Sequence, residues 1–188
     1  RTEVSDGSEP GSDATSSPEQ QDKLKVLLEF IPYFGQGDAA QDNIVRAILS
    51  NAVSGELSGR DEYGNTLLIL ACQYHCESLV PIVLNRGEGS IDLDATNSAG
   101  ACALHFACYK DSLSPETAIL LLRRGVRAEV VENTYGCTPL HYAAGAGDVD
   151  LCKALIESGA KTETCDFYNF TAIDYAKQSG MPECISYL

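Results

Sequence analysis

The chain has 188 residues, 44% of them hydrophobic, and carries 13 basic against 27 acidic side chains for a formal net charge of −14. That length and apolar fraction fit one packed domain with an appended tail. The charge argues against nucleic acid and anionic membrane surfaces, which require clustered lysine and arginine, and no apolar run approaches the roughly 18 residues of a membrane span.

In chain order, residues 1–22 contain no Leu, Ile or Phe and hold six acids against one arginine. They cannot bury enough apolar area to offset the entropy of ordering, so a disordered acidic leader is expected. The chain begins at Arg1 rather than Met; a start upstream is expected, and a targeting segment ahead of it stays open. From Lys23, Leu24, Leu27, Leu28 and Ile31 fall on one helical face, and Pro32 and Gly35 end that helix. Ile44, Val45, Ile48, Leu49 and Val53 outline a second helix, so residues 23–60 read as a helical hairpin. The intervening Gly35-Gln-Gly37-Asp-Ala-Ala40 matches the spacing of a dinucleotide loop, but neither the strand before it nor the acid-ended strand after it is present.

Eight cysteines sit among alanines and leucines, as in Ala71-Cys72, Ala107-Cys108 and Leu151-Cys152. They read as small buried hydrophobes in a reducing, intracellular compartment rather than as a disulfide framework. The cytoplasm is the expected location, with an organelle after removal of a transit peptide as the alternative.

Beyond residue 60 the chain repeats. The stretch "YGCTPLHYAAGAGDVDLCKALIESGA" has counterparts starting at Tyr63, Ala99 and Tyr168. Its anchor falls at Gly64, Gly100, Gly136 and Asn169, at intervals of 36, 36 and 33 residues, the spacing of an array rather than of a single-site domain. Thr138-Pro139-Leu140-His141-Tyr142-Ala143 carries a full T-P-L-H-x-A motif; the copies at Thr66, Cys102 and Thr171 are degraded. On these residues the chain resembles the ankyrin-repeat family. The implied fold is all-α, a solenoid of helix-turn-helix units joined by hairpin loops. The units are expected at 61–96, 97–132, 133–165 and 166–188, with 23–60 as a divergent N-terminal cap. Thr138 is expected to cap its helix with Pro139 at the first position, and Gly145-Ala146-Gly147 to form the turn between two helices. The resemblance gives His105 and His141 a structural role, bridging loop backbone between neighbouring units. The longer connections at 88–98 and around 109–117 are either tolerated insertions or functional ones.

Little in the sequence points to catalysis or to a metal. Cys72, His75 and Cys76 lack a second ligand pair at zinc spacing. No serine stands in a G-x-S-x-G elbow, and Asp148 and Asp150 fall on a solvated turn. Neither a catalytic residue nor a metal or other cofactor is therefore assigned.

The resemblance implies a concave binding surface made of hairpin tips and the exposed face of each first helix. Carried over by position, its candidates are Glu62, Tyr63, Asn65, Tyr74, Tyr109, Lys110, Thr134, Tyr135, Phe167, Tyr168 and Phe170. With Asp61, Glu132 and Asp166 beside them, a partner with a basic or aromatic-compatible surface is expected. The tip aromatics have two readings, partner anchors or stiffeners stacked on the next tip. The function expected is a non-catalytic adaptor or scaffold that binds a protein or peptide. The alternatives are a subunit of a larger assembly and the ankyrin portion of a longer multidomain protein.

Overall fold

The computed structural model describes residues 59–86, 91–109 and 115–188, together with residues 25, 26, 29–31, 43, 46, 47 and 49. The leader, the 35–40 loop, most of the 23–60 hairpin, parts of both longer connections and Lys110 lie outside the described residues.

From residue 59 onward the described residues form four successive helix pairs. They are α1 (Leu67–Gln73) with α2 (Val80–Arg86), α3 (Ala103–Cys108) with α4 (Pro115–Arg123), α5 (Pro139–Ala146) with α6 (Val149–Glu157), and α7 (Ala172–Gln178) with α8 (Pro182–Tyr187). Among the described residues β pairing appears only as two isolated antiparallel bridges, Arg60 with Thr66 and Thr96 with Cys102, at the bases of two hairpin loops. The all-α architecture expected from the repeat is the architecture found.

Local chemistry sets where each helix starts and stops. Thr66, Cys102, Thr138 and Thr171 hold the extended conformation of an N-cap ahead of α1, α3, α5 and α7. Pro139 follows Thr138 at the first turn, where its missing N–H costs nothing. Asp148 caps α6 by accepting from Leu151 N–H at 2.9 Å. The run expected as a turn after α5 is shorter than the sequence suggested. Gly145 and Ala146 belong to the last turn of the helix, and Gly147 alone, at φ +83°, forms the left-handed cap.

Packing follows from side-chain size. The first helices stack in a row, α1 on α3 on α5 on α7, and α4, α6 and α8 form a second row behind them. Ala103, Ala107, Ala143, Ala144, Ala172 and Ala176 are buried in the first row, where small side chains permit close approach. Leu104, Leu121, Leu140, Leu151 and Leu155 fill the space between rows in one continuous core that also takes in Ile31 and Leu49. Each fully buried leucine contributes on the order of 1.5–3 kcal/mol, and no pair of helices buries both its faces by itself.

Seven of the eight cysteines belong to this interior, Cys165 being exposed, and all eight thiols are free. Burial pushes the Cys72, Cys108 and Cys152 thiols well above their ordinary range, which keeps them protonated and unreactive. No helix among the described residues is long and apolar enough to cross a membrane.

Candidate functional site

The hairpin tips are built by one recurring turn. Its anchor needs a left-handed backbone, and Gly64, Gly100, Gly136 and Asn169 supply it at φ +77°, +73°, +79° and +64°. A side-chain oxygen on the entering strand then gathers the N–H groups of the turn. Asp61 Oδ1 accepts from Tyr63 N–H at 2.9 Å and Asn65 N–H at 2.7 Å. Asn97 Oδ1 accepts from Ala99 and Ala101, each at 3.0 Å. Asp166 Oδ1 accepts from Tyr168 N–H at 2.8 Å and Phe170 N–H at 2.9 Å. In the third tip Glu132 performs this task from one residue earlier, its longer side chain accepting from Thr134, Tyr135 and Cys137.

These contacts narrow the set of acids that stand free beside the tips. Glu132 and Asp166 are buried and Asp61 is half-buried, and their carboxylate oxygens are taken up by N–H groups of the turns. Burial pushes the Glu132 carboxyl up, but the three backbone N–H donors outweigh that and hold it below its usual range. Asp166 shows the same balance, with Phe170 N–H and the Tyr175 hydroxyl outweighing burial. Of the four acids expected beside the tips, Glu62 alone is exposed.

Successive tips are tied through backbone. Ser98 N–H donates to Tyr63 C=O at 2.9 Å, Asn133 N–H to Ala99 C=O at 2.7 Å, and Phe167 N–H to Tyr135 C=O at 2.8 Å. The histidines add a second tie below them. His105 Nδ1 accepts from Cys102 N–H at 3.1 Å, which leaves the proton on Nε2, and Nε2 reaches Cys137 C=O of the next unit at 3.3 Å. His141 does likewise, with Thr138 N–H at 3.0 Å behind and Phe170 C=O at 3.1 Å ahead. Burial lowers the pKa of both rings. Asp174, which replaces histidine in the last unit, accepts from Thr171 N–H at 3.1 Å and so keeps only the backward half of the device.

Against this frame the candidate contact residues separate. Tyr63 and Tyr168 are 64% and 65% exposed, and Glu62, Tyr74, Tyr109, Thr134, Tyr135, Phe167 and Phe170 are exposed as well. Asn65 is not a surface residue: it is 5% exposed. Its amide donates to Asp61 at 2.9 Å and accepts from Asn97 at 2.9 Å, which makes it a strut between the first two tips. Phe167 is both exposed and engaged, because its ring fills the space a Cβ on Gly136 would need, its nearest atom lying 2.5 Å from that position.

Sequence reasoning missed one set of residues on this face. The variable position of the motif, between its histidine and its alanine, is Leu70, Phe106, Tyr142 and Tyr175 in the four units. Leu70 lines a groove of about 960 Å³ with Tyr63, Tyr74 and Glu62. Phe106 and Tyr142 line a smaller pocket of about 210 Å³ with Tyr109 and Tyr135. The signal was legible as a large apolar side chain at that position in every copy. The position is hard to read because it is only partly open: Leu70 belongs to the core, and Phe106 and Tyr142 pack against it.

No group of three or more His, Cys, Asp or Glu side chains among the described residues is placed to hold a metal ion. Cys72 is buried in the stack and His75 is exposed at a left-handed turn, φ +59°.

The comparisons with known proteins agree with this architecture. The family described as "Ankyrin repeats (3 copies)" matches residues 37–131 and again 114–188. Ankyrin repeat protein nuc-2 of Neurospora crassa is 31% identical over 121 residues, 64% of this chain and 11% of that protein. Human B-cell lymphoma 3 protein is 30% identical over 136 residues, 71% of this chain and 29% of the relative. The mouse nuclear factor NF-kappa-B p105 subunit is 27% identical over 129 residues, covering 68% and 13%. The chain thus spans between about a tenth and three tenths of these relatives. With the matched residues taking in all four helix pairs and their tips, the chain belongs to the ankyrin-repeat family, whose repeats are protein–protein interaction modules.

Proposed function

We propose that this chain is a non-catalytic adaptor that binds a protein or peptide on the face formed by the hairpin tips and the first helices. One observation carries the reading. Nine large apolar side chains are exposed among the described residues, and seven of them (Tyr63, Tyr74, Tyr109, Tyr135, Phe167, Tyr168 and Phe170) stand at a tip or at the end of a first helix, leaving Val131 and Tyr187 elsewhere. Aromatic side chains gathered on one face are what an interface core requires, since each buries much area, loses few rotamers and, in tyrosine, still finds a hydrogen bond. Backbone ties between tips hold that face in place before binding, so little ordering entropy is lost on association. The net charge of −14 and the exposed Glu62 favour a partner surface that is basic or rich in aromatic-compatible groups.

The test is capture from extract of the source cells. The 23–188 fragment would be compared with a variant carrying Tyr63, Tyr74, Tyr109 and Tyr135 as alanine, and with a control altered on the second row at Glu157 and Lys153, each shown to unfold cooperatively. The expected result is partner loss in the tyrosine variant and retention in the control. Retention in both would reject the face.

A further inference from the structure

The 210 Å³ pocket between the second and third tips has a chemistry of its own. Its size suits one side chain, since sites for whole small molecules run from about 300 to 1,000 Å³. Four aromatic rings stand in its walls: Phe106 from α3, Tyr109 just after it, Tyr142 from α5 and Tyr135 from the third tip. The Tyr109 and Tyr142 rings meet at 5.7 Å between centroids, tilted by 56°, and Tyr142 stands edge-on to His105 at 6.1 Å. Tyr109 and Tyr135 remain 60% and 52% exposed, so two of the four rings have most of their surface unclaimed.

Charge narrows the occupant. Among the described residues no lysine or arginine lines the pocket, and Glu132 is its one carboxylate. A cation placed over ring faces is attracted by their negative quadrupole, and one full negative charge nearby strengthens that field. The oxygens of Glu132 are already engaged by backbone N–H groups of Thr134, Tyr135 and Cys137. They offer charge rather than free hydrogen-bonding capacity. That condition suits a guanidinium, which is planar, weakly hydrated and stacks on aromatic faces, over an ammonium, a strongly hydrated point charge.

We propose that this pocket seats an arginine side chain of the partner protein. The inference rests on the adaptor reading above and gives it an anchor. The pocket adjoins the larger groove, since Asn97 and Ala99 line both. An extended segment with its arginine in the pocket would run toward Tyr63 and Tyr74.

The experiment is an amide NMR titration of the isotope-labelled 188-residue chain with the tripeptide Ac-Ala-Arg-Ala-NH₂, run beside its lysine and citrulline counterparts. Citrulline keeps the shape of arginine and removes the charge. The arginine peptide is expected to shift the signals of Tyr109, Thr134 and Tyr135 saturably, with lysine weaker and citrulline at least about tenfold weaker. Tyr109→Ala and Tyr135→Ala, both at exposed positions and checked by thermal unfolding, should each weaken arginine binding by between about two- and thirtyfold, the span of a cation–π contact. Equal binding of citrulline, preference for lysine, or shifts scattered over the acidic surface and unmoved by both substitutions would each overturn the proposal. The two readings fail separately. A silent pocket in a chain whose captured partners still depend on its tyrosines removes the arginine anchor alone. A titrating pocket in a chain whose partners ignore the tyrosine variant keeps an arginine site but removes the adaptor reading and, with it, a partner as the source of that arginine.

Discussion

Protonating His141 would place a proton on Nδ1, the atom that accepts from Thr138 N–H at 3.0 Å. The cap would lose its acceptor, and a charge would appear in a buried site. Burial lowers the pKa of His141 and of His105 for that reason. The sign of the stability effect follows. In the unfolded chain both rings take up protons near pH 6.5, while in the folded chain they do so only at lower pH. The unfolded state therefore binds more protons below about pH 6.5, and stability should fall as the pH drops through that point. Urea unfolding between pH 7.5 and 5.5 is expected to show this decline. His105→Gln with His141→Gln should start less stable, by about 0.5–1.5 kcal/mol for each hydrogen bond lost, and show a flatter slope. An equally steep slope in the double variant would assign the decline elsewhere. The carboxylates act in a separate window, because Glu132 and Asp166 titrate below their usual range and their contribution is lost only as the pH falls below about 4.

At the scale of one hairpin tip, Gly136 has two constraints where Gly125 has one. Both take left-handed backbone, at φ +79° and +87°. A Cβ at position 125 would meet nothing within 4 Å, whereas at 136 it would strike the Phe167 ring at 2.5 to 2.9 Å. Gly125→Ala should thus cost roughly the 1–2 kcal/mol of left-handed strain, and Gly136→Ala distinctly more, because the fourth tip must also move. Denaturant midpoints of the two variants compare them directly, and equal losses would mean that Phe167 gives way freely. This tip also shows where reading from sequence stopped. The anchor, the helix pair and the role of Thr138 ahead of Pro139 were legible because each depends on a local rule of backbone or capping. The burial of Asn65 and the inward turn of Asp61, Glu132 and Asp166 were not. An acid in a loop is exposed or consumed according to a few ångströms of turn geometry, and composition does not carry that information. The row at Leu70, Phe106, Tyr142 and Tyr175 lay in plain view as a pattern, but only the stacking of neighbouring units shows which side of it meets solvent.

Across the whole molecule the dominant quantity is charge. A net of −14 makes the compact state repel itself, and salt relieves that repulsion by shortening the screening length from about 10 Å at 0.1 M to about 3 Å at 1 M. The described ion pairs are few and mostly exposed, as in Lys153 with Asp150 at 3.0 Å and Lys177 with Asp174 at 3.2 Å, so salt has little attraction to remove. The midpoint of thermal unfolding should accordingly rise as sodium chloride is increased from 0.1 to 1 M; a fall would show that these pairs outweigh the repulsion.

The ties between successive tips involve main-chain atoms on both sides, Ser98 to Tyr63, Asn133 to Ala99 and Phe167 to Tyr135. Side chains at Glu62, Tyr63, Thr134 and Tyr168 can consequently be exchanged without cutting any of them. At those four positions the side chain and the tie occupy different atoms, and a library randomised there should leave the scaffold unaltered and, on the proposed binding face, yield new specificities.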